Sequence, residues 1–396
     1  MLKSLLIMLM TTVLLLTACA PTFDKQEEVV QETEETNEKA IIPRYNISES
    51  YYRTILPFKP GEARGLVVRN LQTRLDITEF ETGLMRIAQE SFSSDQYFYQ
   101  EGQKISKETI ESWLNRKMSP AQLQEDNKKE AENLGLNPIF EYNANSEESY
   151  ETQMSKSPIY LAHMLEHNYL IKNKDGKVEL GGVVIGLALN SVQYFNLPDD
   201  QGGYPREVKI DTDVLKKEGK RIAEEVLARL RTMDELKNVP IVIALFEQEE
   251  ISSIAPGNFI AKTGVINKGN RIDKWEDVNE EYHFFPSTAA TNAYREDAVM
   301  FTNFKTDIDE FFPNYTGVIG RGFYKNEELY QLTIEIPMQF YGKAEVIGFT
   351  QFITGEVMEH FPDYFSLQVY VSSENGPESI IVRNAGEEEP FVHIYN

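Results

Sequence analysis

Residues 163 to 167 read His-Met-Leu-Glu-His. The spelling H-x-x-E-H is that of the inverted zinc peptidases, with two imidazoles on the metal and a glutamate as base. On a helix, His163 and His167 stand one turn apart, so both could reach one Zn²⁺. The site would need a third ligand, and Glu224 and Glu225 lie on a later helical stretch. The pattern fixes only three positions in a glutamate-rich chain, and an amphipathic surface helix with two exposed histidines meets it equally well. A zinc hydrolase using His163, Glu166 and His167 is therefore kept as an alternative. The reading taken is that the chain is not an enzyme and needs no metal or other cofactor. Other clusters point the same way. Glu249-Glu250 and Glu280-Glu281 are acidic pairs such as glycosidases use, but adjacent side chains of a strand face opposite sides. Asp211-Thr212-Asp213 lacks the glycine and the twelfth-position glutamate of a calcium loop and suits a helix N-terminus. Ser287 to Ala290, after Phe284-Phe285-Pro286 and near His283, reads as a helix start. Gly181-Gly182 and Gly202-Gly203 are turns without phosphate-loop spacing.

The remaining chemistry belongs to a single thiol. Cys19 is the only cysteine, so the chain behind it can form no internal disulfide, Cys nucleophile or thiolate metal site. Lys3 supplies a positive start, and Leu5 to Leu16 is an apolar run. As a helix that run spans about 18 Å, short of the roughly 30 Å hydrocarbon core of a bilayer, so it reads as a signal h-region. Leu16-Thr17-Ala18-Cys19 then resembles the bacterial lipobox. The expectation is cleavage between Ala18 and Cys19, with a diacylglycerol thioether and palmitate-type acyl chains on Cys19. Two acyl chains at about 0.8 kcal/mol per buried CH₂ exceed what one chain needs for stable anchoring. The implied partners are the lipid bilayer and the lipoprotein-processing enzymes, and the implied place is the extracellular face of the cell membrane.

Composition limits what the body can do. The chain has 396 residues and a net charge of −24. Loss of residues 1–18 removes Lys3 and leaves 38 basic against 63 acidic residues, a net charge of −25. That balance excludes nucleic acid as a partner, because such binding requires clustered Lys and Arg. It also opposes flat docking on anionic lipid. With 20 Tyr and 22 Phe the body is well supplied to build a core.

The chain divides into a signal peptide over 1–18 and an acidic disordered tether over 19–49. A first repeat over 50–250, with a polar excursion at about 116–157, and a second over 251–396 complete it. Helices are expected over Ala63 to Leu75, from a Thr78 cap through Ala88, from Ser106 to Trp113, from Ser119 to about Ala131, and over Pro158 to His167. Strand 183–189, helix 211–231 and strand 239–246 are echoed by strand 329–338, helix 344–361 and strand 366–371. Each set follows an amphipathic helix and a short strand, Tyr97-Phe98-Tyr99 in one half and Gly317-Val318-Ile319 in the other. The expected class is α+β, two structurally similar repeats, each a mostly antiparallel sheet packed with helices.

Several stretches together resemble the CamS family, lipoprotein precursors of a sex pheromone in Gram-positive bacteria. They are Tyr52-Arg53-Thr54-Ile55-Leu56-Pro57-Phe58, Ala63-Arg64-Gly65-Leu66, Asn133 to Pro138, Ile185 to Val192, Pro256 to Ile260, Phe285 to Ala290, Tyr341 to Glu345 and Val392-His393-Ile394-Tyr395. The resemblance implies a body of two CamS repeats. It also implies a pheromone cut from the end of the signal peptide, which here is Thr12-Val13-Leu14-Leu15-Leu16-Thr17-Ala18. The family offers no catalytic residues. The function expected is a membrane-anchored lipoprotein whose signal peptide releases a hydrophobic heptapeptide that promotes conjugative plasmid transfer through a recipient receptor. The alternative is an extracytoplasmic module that holds a ligand or wall fragment between the repeats. The partner of the body is not assigned.

Overall fold

The structure, a computed structural model, describes residues 27–32, 37–43, 47–48, 50–311 and 317–396. Cys19, the signal segment and Thr12 to Ala18 lie outside the described residues. The first half contains β1 (Glu27–Glu32), β2 (Asn37–Ile42), β3 (Arg53–Thr54), α1 (Arg64–Asn70), α2 (Arg74–Gln89), β4 (Tyr97–Glu101), α3 (Lys107–Leu114), α4 (Pro120–Glu125) and α5 (Tyr150–Lys156). It continues with β5 (Leu161–Lys172), β6 (Val178–Asn190), β7 (Val192–Asn196), β8 (Pro205–Lys209), α6 (Thr212–Leu230), β9 (Ile241–Gln248), β10 (Asn258–Thr263) and β11 (Trp275–Asp277).

The first sheet runs β11-β10-β9-β6-β5-β4-β3. Its centre, β6 and β9, is parallel, in register from Val183 opposite Ile241 to Asn190 opposite Gln248. Those strands read as unbroken apolar runs because helices cover both faces. On one face, Leu215, Ile222, Val226, Leu227 and Leu230 of α6 join Ile185, Leu187, Ile243 and Leu245. On the other, Phe80, Leu84, Ile87 and Ala88 of α2 meet Val184, Ala188, Val242 and Phe246. Close approach sets two residues. A Cβ on Gly186 would stand 2.7 Å from the Phe80 ring, and one on Gly219 2.8 Å from a Leu189 methyl. Asp211 caps α6, and Val214 in its first turn is exposed.

The second half contains β12 (Glu280–Phe285), α7 (Thr288–Ala293), α8 (Arg295–Phe311), β13 (Ile319–Lys325), β14 (Glu328–Pro337), α9 (Lys343–His360), β15 (Ser366–Ser373), β16 (Gly376–Arg383) and β17 (Phe391–Ile394). Its sheet runs β12 to β17 in chain order. Asn326 and Glu327 sit at φ 53° and 68°, the left-handed pair a two-residue hairpin requires. Inward residues Leu332, Ile334, Ile336, Leu367 and Val369 pack under Phe301, Phe304 and Ile308 of α8 and Phe349, Ile353 and Val357 of α9.

The two sheets share one series of pairings. The series β4, β5, β6, β9, β10, β11 pairs antiparallel at each step except β6 with β9. The series β12 to β17 does the same, with β14 and β15 as the parallel step. A helix, α6 or α9, crosses over between the two parallel strands in each case. This order puts β12, not Gly317 to Ile319, in the place of β4.

Three expectations require correction. The stretch from Pro158 to His167 is not a helix; it enters the long strand β5. Second, residues 27–32 and 37–42 of the expected tether pair as the antiparallel strands β1 and β2, and Gln31 bridges Val178. Val29, Ala40 and Ile42 are buried there against Ile55, Phe98, Leu170 and Val178, so a few inward apolar residues outweigh the acidic composition. Third, the cap of α2 is Thr73, whose hydroxyl accepts the Asp76 N–H; Thr78 lies inside the helix. In addition, α1 ends at Asn70 and α4 at Glu125, shorter than their patterns predicted.

Candidate functional site

The geometry of β5 overturns the zinc reading. Four residues along a strand span about 13 Å, too far for His163 and His167 to share one ion at bond lengths near 2 Å. Glu166 points to the opposite face from both. His163 lies against Phe80 and Asn70, and His167 against Tyr99 and Tyr169. Burial pushes their pKa values down, to about 4 for His163 and about 3 for His167. The Glu166 carboxylate accepts N–H bonds from Lys104 and Ile105 at 2.9–3.1 Å. Burial outweighs those bonds and raises its pKa to about 7. The space beside Glu166 and His167 is about 30 Å³, too small for a substrate. Glu224 accepts from the Ile272 N–H, and Glu225 pairs with Lys117 and Arg229, so neither approaches the histidines.

The other acidic pairs and turns also resolve into structure. Glu250 pairs with Lys209 at the surface. The His283 imidazole is 2.9 Å from Glu281, and the Ser287 hydroxyl caps α7. Glu280, by contrast, is buried at a junction that no motif signals.

That junction is built on α2, which lies between the two sheets. Its apolar face covers the first sheet, and Thr78, Glu79, Thr82, Arg86 and Gln89 face the second. Arg86 donates to Glu280 through Nε at 3.0 Å and Nη2 at 2.7 Å, and to Glu79 at 2.6 Å. Its guanidinium lies over the Phe323 ring at 4.5 Å. The Tyr282 hydroxyl donates to Glu79 at 2.6 Å. Burial opposes the Arg86 charge, but Glu280 and Glu79 outweigh it and hold its pKa above the usual value. Burial raises the Glu79 carboxyl despite Arg86 and Tyr282. A bidentate Arg–carboxylate pair of this kind fixes orientation as well as contact.

Beside this lock runs a cleft of about 290 Å³, walled by Tyr51, Tyr282, Phe323, Tyr330, Arg321, Gln331 and Thr333. Thr333 stands opposite Arg321, and Gln331 opposite Phe323, on adjacent strands. Among the described residues Arg321 has no ion-pair partner. The cleft therefore offers flat aromatic faces, amide and hydroxyl groups and a guanidinium, with no nucleophile–base pair. It can hold a ligand through stacking and an anionic group. Sequence patterning did not reveal it, because its walls come from α2 and from the outward face of the second sheet.

Fold and cleft together define an α+β protein with a helix sandwiched between its two larger sheets and a polar, aromatic-walled junction. The family model described as CamS sex pheromone cAM373 precursor matches residues 58–389, and the chain belongs to that family. The sex pheromone precursor from Lactobacillus salivarius subsp. salivarius UCC118 is similar in structure, with a TM-score of 0.77 and 30% identity over 90% of this chain and 99% of that one. The C-terminal domain of the sex pheromone staph-cAM373 precursor from Staphylococcus aureus gives a TM-score of 0.70 and 32% identity, covering 83% of this chain and 98% of that one. No curated protein matches the chain.

Proposed function

We propose that the chain is a membrane-anchored lipoprotein and the source of a peptide signal. In this reading a peptidase cuts between Ala18 and Cys19, Cys19 keeps a diacylglycerol anchor, and Thr12 to Ala18 is released as an apolar heptapeptide. The observation that carries it is the family match over 58–389, whose description and structural relatives are sex pheromone precursors. The Leu16-Thr17-Ala18-Cys19 stretch supports it by supplying the small-residue cut and the single thiol at the end of an h-region. The heptapeptide's seven uncharged, mostly apolar side chains favour partitioning into lipid, which suits release at the membrane. The test adds synthetic Thr12–Ala18 to plasmid-bearing donor cells. A rise in clumping and conjugation is expected; no response across a panel of donors removes the pheromone and leaves the lipoprotein standing.

A second reading concerns the folded body, which the peptide does not use. The cleft between α2 and the second sheet favours a binding role for a small polar ligand carrying a carboxylate or phosphate, with Arg321 as its counter-ion and Tyr330 or Tyr282 as a stacking face. Such a ligand raises the unfolding temperature by mass action. The check is a thermal-shift screen of wild type against Arg321→Ala. A ligand that stabilises both equally is not held in the cleft.

A further inference from the structure

The packing of α8 on α9 assembles ligand-type side chains far from the residues of the H-x-x-E-H pattern. Asp307 comes from α8. Glu356 and His360 come from α9, one turn apart at its C-terminal end. The His360 Nε2 stands 2.6 Å from Asp307 Oδ2 and 3.2 Å from Glu356 Oε2. One ligand atom from each residue lies within 4.8 Å of the others. The imidazole rests edge-on to the buried Phe304 ring at 6.3 Å. Glu356 and His360 are largely covered, and Asp307 forms the open side.

We propose that Asp307, Glu356 and His360 form a binding site for a divalent transition metal, Zn²⁺ first, that clamps α8 to α9. The donor set of one imidazole and two carboxylates suits zinc at bond lengths of about 2.0–2.2 Å and leaves a fourth position open. Building such a site from an i, i+4 pair on one helix and a carboxylate on its neighbour follows the logic of metal sites in helical bundles. A simple ion pair at the helix end accounts for less. The C-terminus of α9 already carries partial negative charge, which one His–Asp pair would complement. Yet Glu356 is also turned onto the same nitrogen, so the cluster is net negative whether His360 is neutral or charged. Metal binding takes the Nε2 lone pair and leaves the imidazole one proton, on Nδ1. A neutral His360 changes tautomer at most, and an imidazolium releases one proton.

The test titrates ZnCl₂ into the full-length protein in detergent, followed by calorimetry and by thermal unfolding, with CoCl₂ as a spectroscopic probe. The expected result is one saturable zinc per chain, a rise in unfolding temperature and visible Co²⁺ absorption. His360→Ala and Asp307→Asn should each weaken zinc binding at least tenfold and abolish the Co²⁺ band. His283→Ala, which alters another histidine paired with a carboxylate, should leave both intact. Should His360→Ala fail to fold, Asp307→Asn and the cobalt spectrum decide. Absence of saturable binding, unchanged affinity in both variants, loss of binding in His283→Ala, or binding of Mg²⁺ in preference to Zn²⁺ each overturns the proposal.

Discussion

Glu166 shows how far a residue's chemistry is set by its surroundings. In a helix it would have been an exposed base beside two histidines; in β5 it is sealed behind Gly102, Lys104 and Ile105. Its carboxyl titrates at about 7 instead of 4.5. The folded state then binds a proton more tightly than the unfolded chain, so this contribution is fully present below about pH 4.5 and is lost as pH rises through about 7. His163 and His167 act in the opposite sense. Held neutral, they contribute stability above about pH 6.5 that is lost as pH falls towards 4 and then 3. Glu166→Gln should remove that opposing contribution, so that stability rises more steeply between about pH 4.5 and 6.5 than in the wild type. Urea unfolding across that pH range reads it directly, and an unchanged slope would assign the titration to another group. At the junction, Arg86→Ala leaves Glu79 and Glu280 buried without a cation. A loss of about 3–5 kcal/mol is expected, with Arg86→Lys recovering only part of it because an ammonium cannot make the bidentate contact. Equal stability of Arg86→Ala and wild type in denaturant would remove the lock.

At the scale of elements, α2 organises the fold, and its N-terminus is tied to the turn after β9. Asp76, fully buried, accepts N–H bonds from Gly257 at 2.7 Å and Glu249 at 3.3 Å and the Thr73 hydroxyl at 2.8 Å. Gln248 continues the tie, accepting from the Gln72 N–H and donating to Asn190. Asp76→Ala strands the buried Gly257 N–H and the half-buried Glu249 N–H and should cost about 2–4 kcal/mol. Faster amide exchange at Gly257 and Glu249 should accompany it; unaltered exchange there would show that the turn holds itself. The helices α2, α6 and α8 were legible because each buries one stripe, which gives a 3.6-residue period. The strand β5 was not. It lies between β4 and β6 with both faces covered, so no alternation survives, and Leu161, Ala162, Met164, Leu165 and Glu166 are good helix formers. Pairing with β6 along its length overrides that preference. The strands β10 to β12 escaped notice because they are short and mix charged with aromatic residues.

For the whole molecule, the α+β class and the echo between halves were readable because each parallel step needs a long crossover helix between two apolar strands. The cleft was not readable, since it exists only where α2 of the first half meets the outward face of the second sheet. The strands β1 and β2 shorten the expected tether: if Cys19 holds the membrane, only residues 20–26 stand between it and the first described strand. Processing at Cys19 is read from the intact mass of the protein purified from the membrane fraction. The expected chain begins at Cys19 and carries the added mass of a diacylglycerol. A chain that keeps Met1 to Ala18, or that begins at an unmodified Cys19, would contradict it.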